Sequence, residues 1–306
     1  MSPKPKYAVF YGIGLSILSA ASIAIGPSLA KFAYGQGTDL ITVMVIRGFV
    51  MIGICVLILL LKRRLAAPSS KVIILCVASG ISFAAMSYGY FGAVQTIPVG
   101  IAVTLYFLHP ILVMFAAHFI GLNRVTGRQI FFSIIVFIGL GIAVGIDIQG
   151  FDAQGILLSL LAAVAVTAMI LLNAKALPKS DAITVNLIMV VTTTVIFLIW
   201  NVGLGNELMF PSTTIGWTAV VSVGLSFTIG LLSFFYAVDI IGPVLATMIT
   251  SLQPLFAILF ASLLLSENLT LLQISGALLV ITGLALRDKI PTKTKADIPF
   301  STMKDN

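Results

Sequence analysis

Leu108-His109-Pro110 in the first half of the chain returns as Leu252-Gln253-Pro254 in the second, 144 positions later. Working outward from these triplets, the same offset carries Ala93-Val94 onto Ala237-Val238. It also carries Thr126-Gly127-Arg128-Gln129 onto Thr270-Leu271-Leu272-Gln273. Gly80 falls on Gly224, Gly139-Leu140 on Gly283-Leu284, and Lys31 on Lys175. Self-similarity over half a chain means two copies of one structural unit. In a chain apolar enough to sit in lipid, such duplication is a common mark of transporter folds.

The composition supplies the lipid. Fifty-nine per cent of the 306 residues are hydrophobic and only 9% are charged, far outside the range of a soluble domain. A helix needs about 20 apolar residues to cross the hydrocarbon core. Ten stretches qualify: 7–29, 40–61, 72–94, 98–120, 129–147, 155–174, 183–204, 213–237, 243–265 and 270–287. The expectation is an all-α polytopic membrane protein of ten transmembrane helices, arranged as two five-helix repeats. The repeats occupy 1–148 and 149–288, followed by a disordered cytoplasmic tail at 289–306. The runs are continuously apolar rather than alternating, which excludes a porin-like barrel. Cys55 and Cys76 lie inside spans and act as small apolar residues; two cysteines make neither a disulfide framework nor a thiolate metal site.

The net charge of +7 would suggest nucleic acid in a soluble protein, but its distribution explains it better. With the amino terminus in the cytoplasm and the spans alternating, the cytoplasmic segments hold 15 Lys/Arg residues, among them Lys62-Arg63-Arg64, Lys175 and Lys179. The opposite side holds Lys31 alone, and Arg47 lies within a span. The positive-inside rule is met one-sidedly, so both termini are expected in the cytoplasm. The first span resembles a signal peptide, with Lys4 and Lys6 before it and Ser28-Leu29-Ala30 at its end. Its apolar run exceeds a normal h-region, and Gly12-Ile13-Gly14-Leu15-Ser16 has an echo in Gly155-Ile156-Leu157-Leu158-Ser159, so it is read as retained. Five spans per repeat is an odd number, so equivalent helices cross the bilayer in opposite directions and the repeat is inverted.

The segment Glu267-Asn268-Leu269-Thr270-Leu271-Leu272-Gln273-Ile274-Ser275-Gly276, leading into the last span, resembles the EamA family of the drug/metabolite transporter superfamily. In that family a Glu-x-Leu-Thr-x-x-Gln-x-x-Gly stretch commonly joins the last two helices of a repeat. The first copy is degenerate, with Asn123 for the glutamate and Ser133 near the glycine position. Arg47 in the second span and the basic cluster after it also look like the family pattern. The resemblance implies a basket of helices around a central cavity, open to one side at a time, in a bacterial inner membrane. It leaves the substrate open.

His109 lies about halfway along its span, about 16 Å from either end at 1.5 Å per residue. Ionisable groups at that depth are rare and often functional. Gln253 is equally deep in the ninth span. A proline inside a helix removes the bond to the carbonyl four residues earlier, so Pro110 should free the carbonyl of Tyr106 and Pro254 that of Thr250. Paired interrupted helices at the midplane match a transporter binding site. The candidate substrate contacts are therefore His109, Gln253, Tyr106, Tyr88, Thr250 and, on the small-residue strip of the first helix, Ser19. Each has an ordinary alternative: interhelical hydrogen bonds for His109 and Gln253, core packing for Tyr88, Tyr90 and Tyr106, and close helix packing for Ser16, Ser19 and Ser22. Arg47 is a possible external gate or a contact for a substrate carboxylate; the structural reading has it snorkelling to the outer surface. Trp200 and Trp217 read as interfacial anchors.

Several chemistries are missing from the sequence. It has no phosphate-binding Gly-x-x-x-x-Gly-Lys loop and no His-Glu-x-x-His pair or other paired metal ligands in the spans. No acidic residue lies near mid-span, which leaves His109 to carry any coupled proton; the alternative is passive, gradient-driven export. No catalytic residue, metal or cofactor is expected. The partners expected are a small-molecule substrate and the lipid bilayer, with no nucleic acid; monomer and homodimer are both compatible. The leading reading is a secondary transporter exporting a small metabolite such as an amino acid. A lipid or isoprenoid-linked sugar flippase is the alternative transport activity, a non-transporting structural subunit the alternative from another class. A membrane-embedded enzyme lacks its acid, base and nucleophile.

Overall fold

Prolines, glycines and capping side chains divide the apolar runs into helices. The structure is a computed structural model that describes residues 6–62, 68–97, 105–121, 126–144, 152–203 and 207–256, with isolated positions at 102, 205, 259, 260 and between 271 and 283. Every regular element among the described residues is helical.

In the first half, α1 (Lys6–Ala24) and α2 (Gly26–Tyr34) are separated by a one-residue turn at Ile25. Helix α3 (Leu40–Lys62) and α4 (Ser70–Thr96) follow, then α5 (His109–Phe119) and α6 (Gly127–Val144). The second half begins with α7 (Ala153–Ala176), capped by the Asp152 carboxylate, which accepts from the Gln154 N–H at 3.0 Å. A 3-10 turn at Leu177–Lys179 leads into α8 (Ala182–Gly203). Helix α9 (Thr214–Ile241) opens on the Thr213 hydroxyl, which accepts from the Gly216 N–H. It closes at Gly242, whose φ of 83° is a left-handed conformation suited to glycine. Pro243 then starts α10 (Pro243–Thr250) at a position where no N–H is needed.

Six helical stretches among the described residues are long and apolar enough to cross a membrane: Tyr7–Tyr34, Leu40–Leu61, Ser70–Ala93, Ala153–Lys179, Ala182–Gly203 and Thr214–Ile241. Three further apolar helices, His109–Phe119, Ile130–Gly139 and Pro243–Phe256, are shorter. The expectation of ten full spans is thus met only in part. The fourth and ninth stretches lie partly outside the described residues, at 98–101, 103–104, 257–258 and 261–265, and each turns just before its proline. The 270–287 span lies mostly outside the described residues, as do the tail and the loop at 145–151.

Exchanging the two halves maps α1 with α2 onto α7, α3 onto α8 and α4 onto α9, and the packing among these survives the exchange. Helix α5 corresponds to the helix that restarts at Gln253, not to α10, which precedes the break. Helix α4 packs on α7 as α1 packs on α9, and α4 on α8 as α3 on α9. The homologous pair α3 and α8 meets directly and runs antiparallel. The Asn186 amide donates to Cys55 Sγ at 3.3 Å, while the Cβ position of Gly48 faces Thr194. Along α1 and α9, Gly12 faces Ile240 and Ile241, and Gly26 faces Phe227.

Gly80 and Gly224 mark one such exchanged contact. A Cβ on Gly80 would stand 2.5 Å from Thr192 Cβ and 2.6 Å from the Met189 carbonyl oxygen on α8; one on Gly224 would stand 2.6 Å from Val50 Cβ on α3. Both glycines let helix backbones approach closely, the usual means of association where lipid removes the hydrophobic drive.

The two ends of the bundle differ. At the end where α3 begins, Ser212 donates to the Gln36 carbonyl from its N–H at 3.2 Å and from its hydroxyl at 3.1 Å. The Thr213 hydroxyl bonds the Gln36 side-chain oxygen at 2.7 Å, and the Met209 N–H bonds the Thr42 hydroxyl at 2.9 Å. These bonds latch the α2–α3 loop to the α8–α9 loop. At the opposite end lies a cavity of about 340 Å³ lined by Leu59, Leu177, Ser180, Asp181, Ala182, Tyr236 and Asp239.

Candidate functional site

The site is built on two breaks. Helix stops after Tyr106, turns through Phe107 and Leu108, and restarts at His109. The second half stops after Thr250, turns through Ser251 and Leu252, and restarts at Gln253. Three backbone bonds repeat across the halves. Leu108 N–H to Leu105 O (3.2 Å) matches Leu252 N–H to Ile249 O (3.1 Å). Ile111 and Leu112 N–H to Leu108 O match Leu255 and Phe256 N–H to Leu252 O. Pro110 and Pro254 therefore sit in the first turn of a new helix, where a missing N–H costs nothing.

The expectation that Pro110 leaves the Tyr106 carbonyl free is corrected here. His109 Nδ1 lies 2.9 Å from that oxygen. A carbonyl can only accept, so Nδ1 carries the proton in this contact, and a neutral ring then presents Nε2 as an acceptor. His109 is buried, and its ring packs against Tyr106 (centroids 4.8 Å apart) and Phe107 (5.2 Å). Tyr106 in turn touches Tyr90 at 4.8 Å, and Tyr90 touches Phe91 at 5.5 Å.

This aromatic row ends at Arg47. Its guanidinium lies over Phe227 (4.7 Å), Phe83 (5.0 Å) and Phe91 (5.8 Å), and its Nη2 donates to the Ser87 hydroxyl at 2.9 Å. Arg47 is 1% exposed, so it does not snorkel to the outer surface. Cation–π contacts, each worth roughly 0.5–2 kcal/mol, hold it inward instead.

The remaining candidates divide. Gln253 and Thr250 are buried at the second break, where the Thr250 hydroxyl donates to the Thr247 carbonyl at 2.8 Å. Helix α10, which carries Thr250, packs against both α1 and α5. Ser19 on α1 is fully buried, with no hydrogen-bond partner for its hydroxyl among the described residues. Ser16 donates to the Gly12 carbonyl. Tyr88 stands apart: it is 38% exposed and its ring lies on Trp200 at 5.5 Å, on the α4 face shared with Ile74 and Ile81. Tyr90, two residues on, is the tyrosine that joins Tyr106.

Sequence reasoning missed one repeated feature. Asp39-Leu40-Ile41-Thr42-Val43 and Asp181-Ala182-Ile183-Thr184-Val185 begin the homologous helices α3 and α8. Asp39 accepts from the Ile41 and Thr42 N–H groups, and Asp181 from the Ile183 and Thr184 N–H groups. The matched capping sequence Asp-x-Ile-Thr-Val was the available signal, but it recurs at 142 positions rather than 144.

Fold and site together define a multi-pass helical membrane protein of two repeats, each interrupted at the same buried point. The profile of the EamA-like transporter family matches residues 10–145 and again 153–287. The chain belongs to that family and is a membrane transporter of the drug/metabolite superfamily, a group that is in general non-enzymatic. Among solved structures 29 chains match. One, a crystal structure of a protein, aligns with a TM-score of 0.72 at 16% identity, over 90% of this chain and 98% of that one. At that identity the likeness establishes the fold alone. No curated protein sequence matches.

Proposed function

We propose that this protein is a secondary transporter of the bacterial inner membrane. It exports a small metabolite such as an amino acid through a central cavity opened to each side in turn. The observation that carries the reading is the pair of matched helix breaks at His109-Pro110 and Gln253-Pro254. Interrupted helices at the repeat interface are where transporters place substrate sites. His109 through Nε2, Tyr106 and Tyr90 form one wall; Gln253, Thr250 and Ser19 form the facing one.

The two halves are related by a two-fold axis in the membrane plane, in keeping with the antiparallel contact of α3 with α8. Charge distribution puts both termini in the cytoplasm. The latch between Gln36 and Ser212 then seals the outer end, and the cavity beside Asp181 opens to the cytoplasm.

Uptake of labelled amino acids into inside-out vesicles tests the reading. Accumulation above empty vesicles is expected, with a large loss in His109→Ala at normal membrane insertion. If His109 carries a coupled proton, transport also changes across about pH 5–8 and His109→Gln flattens the dependence. A His109→Ala variant that inserts and transports at the parent rate would make His109 a packing residue.

A further inference from the structure

Arg47 is the most conspicuous unpaired charge in the described structure. A guanidinium has five N–H donors and stays charged at physiological pH. Here only Nη2 has an acceptor, the Ser87 hydroxyl; Nε and Nη1 are buried with no partner among the described residues. The three phenyl faces offset part of the desolvation, but ring faces do not satisfy N–H groups lying in the guanidinium plane. Taking a charge out of water is unfavourable unless a counter-ion with good geometry follows it.

The protein does not bring that counter-ion. No described carboxylate pairs with Arg47, and Asp39, which precedes the same helix, is occupied in capping α3 through both of its oxygens. A second buried donor lies toward the same end of the bundle. The Tyr34 hydroxyl, at the end of α2, has no partner among the described residues either. Both groups lie on the side of the bundle closed by the latch between Gln36, Thr42 and residues 209–213.

We infer that Arg47, with Tyr34, receives the carboxylate of the transported molecule beneath the outer latch. This rests on the transporter reading and adds the substrate class: a compound with a free carboxylate, whose charge is neutralised by the guanidinium as it passes the apolar row of Phe83, Phe91 and Phe227. Charge-assisted bonds to carboxylate are the strong ones, and arginine is suited to them. An arginine kept only for packing gains nothing from leaving Nε and Nη1 bare.

The test compares L-leucine, L-threonine and L-phenylalanine, each with its own carboxamide, in proteoliposomes of the full chain. The expected result is transport of acids, with amides weaker by about tenfold or more, the cost of one charged hydrogen-bonded contact. Arg47→Gln should abolish the acid–amide preference and Arg47→Lys should retain part of it. The comparison on the parent protein needs no variant, so a folding defect in Arg47→Gln does not decide it. Equal transport of acids and amides, or amides alone, would overturn the carboxylate assignment and leave the exporter reading standing. Transport of neither overturns both. Thermal stabilisation by chloride alone, unaltered by the acids, would make Arg47 a halide site and also overturn the inference.

Discussion

His109 Nδ1 lies 2.9 Å from the carbonyl oxygen of Tyr106, so the group that Pro110 deprives of its helical donor is satisfied by the residue beside the proline. Nδ1 holds the break together; under the proposed function Nε2 has a separate job, contact with the substrate.

Substitution can separate them. Asparagine places an amide N–H near the position of Nδ1 and nothing at Nε2. His109→Asn should keep thermal stability in detergent within about 1 kcal/mol of the parent while transport falls sharply. His109→Ala loses the first job as well and leaves the buried Tyr106 carbonyl unpaired, at about 1–3 kcal/mol. Equal transport by His109→Asn and the parent would assign the ring to structure alone.

The glycine pair gives a stability prediction that is independent of substrate. Gly80→Ala drives a methyl into the Met189 backbone carbonyl, which cannot rotate away, and Gly224→Ala into Val50 Cβ. Each should cost about 1–3 kcal/mol as overpacking. Gly14, with nothing within 4 Å of its Cβ position, is the control: Gly14→Ala should be neutral or stabilising by roughly 0.5–1 kcal/mol. Denaturation midpoints of the three variants decide it. An unchanged Gly80→Ala would mean the helices do not approach as described.

What the sequence discloses here is depth and punctuation. Both proline breaks were legible from Pro110 and Pro254, because a ring without an N–H acts the same way in any context. Azimuth was not legible. Tyr88 and Tyr90 are two residues apart, about 200° around a helix, and only the second faces Tyr106. Arg47 is at a depth from which snorkelling is possible, yet it turns inward, because Phe227 comes from a helix about 180 positions away. The capping aspartates escaped notice because this part of the repeat, from the ends of α2 and α7 to the starts of α3 and α8, aligns at 142 positions rather than at the 144 that relates the proline breaks.

The latch predicts a mechanical block. Gln36 and Thr213 are bonded through their side chains at 2.7 Å, so a short bifunctional reagent can span cysteines placed there. Gln36→Cys with Thr213→Cys, joined by a reducible thiol-specific cross-linker, should stop transport and recover on reduction. Cys55 and Cys76 are fully buried and should not compete for the bridge. Full transport by the cross-linked protein would show that these loops do not part during the cycle.

Topology is the most decisive measurement, because the inverted repeat depends on it. Of the Lys/Arg residues outside spans, 15 fall on one side of the expected topology and Lys31 alone on the other, and such asymmetry fixes orientation. The buried native cysteines make the parent chain a silent background for a membrane-impermeant maleimide. Gln154→Cys, exposed at the start of α7, should be labelled in intact cells; Ser70→Cys, exposed at the start of α4, only after the membrane is opened. Homologous helices α3 and α8 then begin on opposite faces, as their antiparallel contact requires. Labelling of Gln154→Cys only in opened cells would place the 148–154 loop in the cytoplasm. Each half would then have an even number of crossings, and an axis in the membrane plane could no longer relate them.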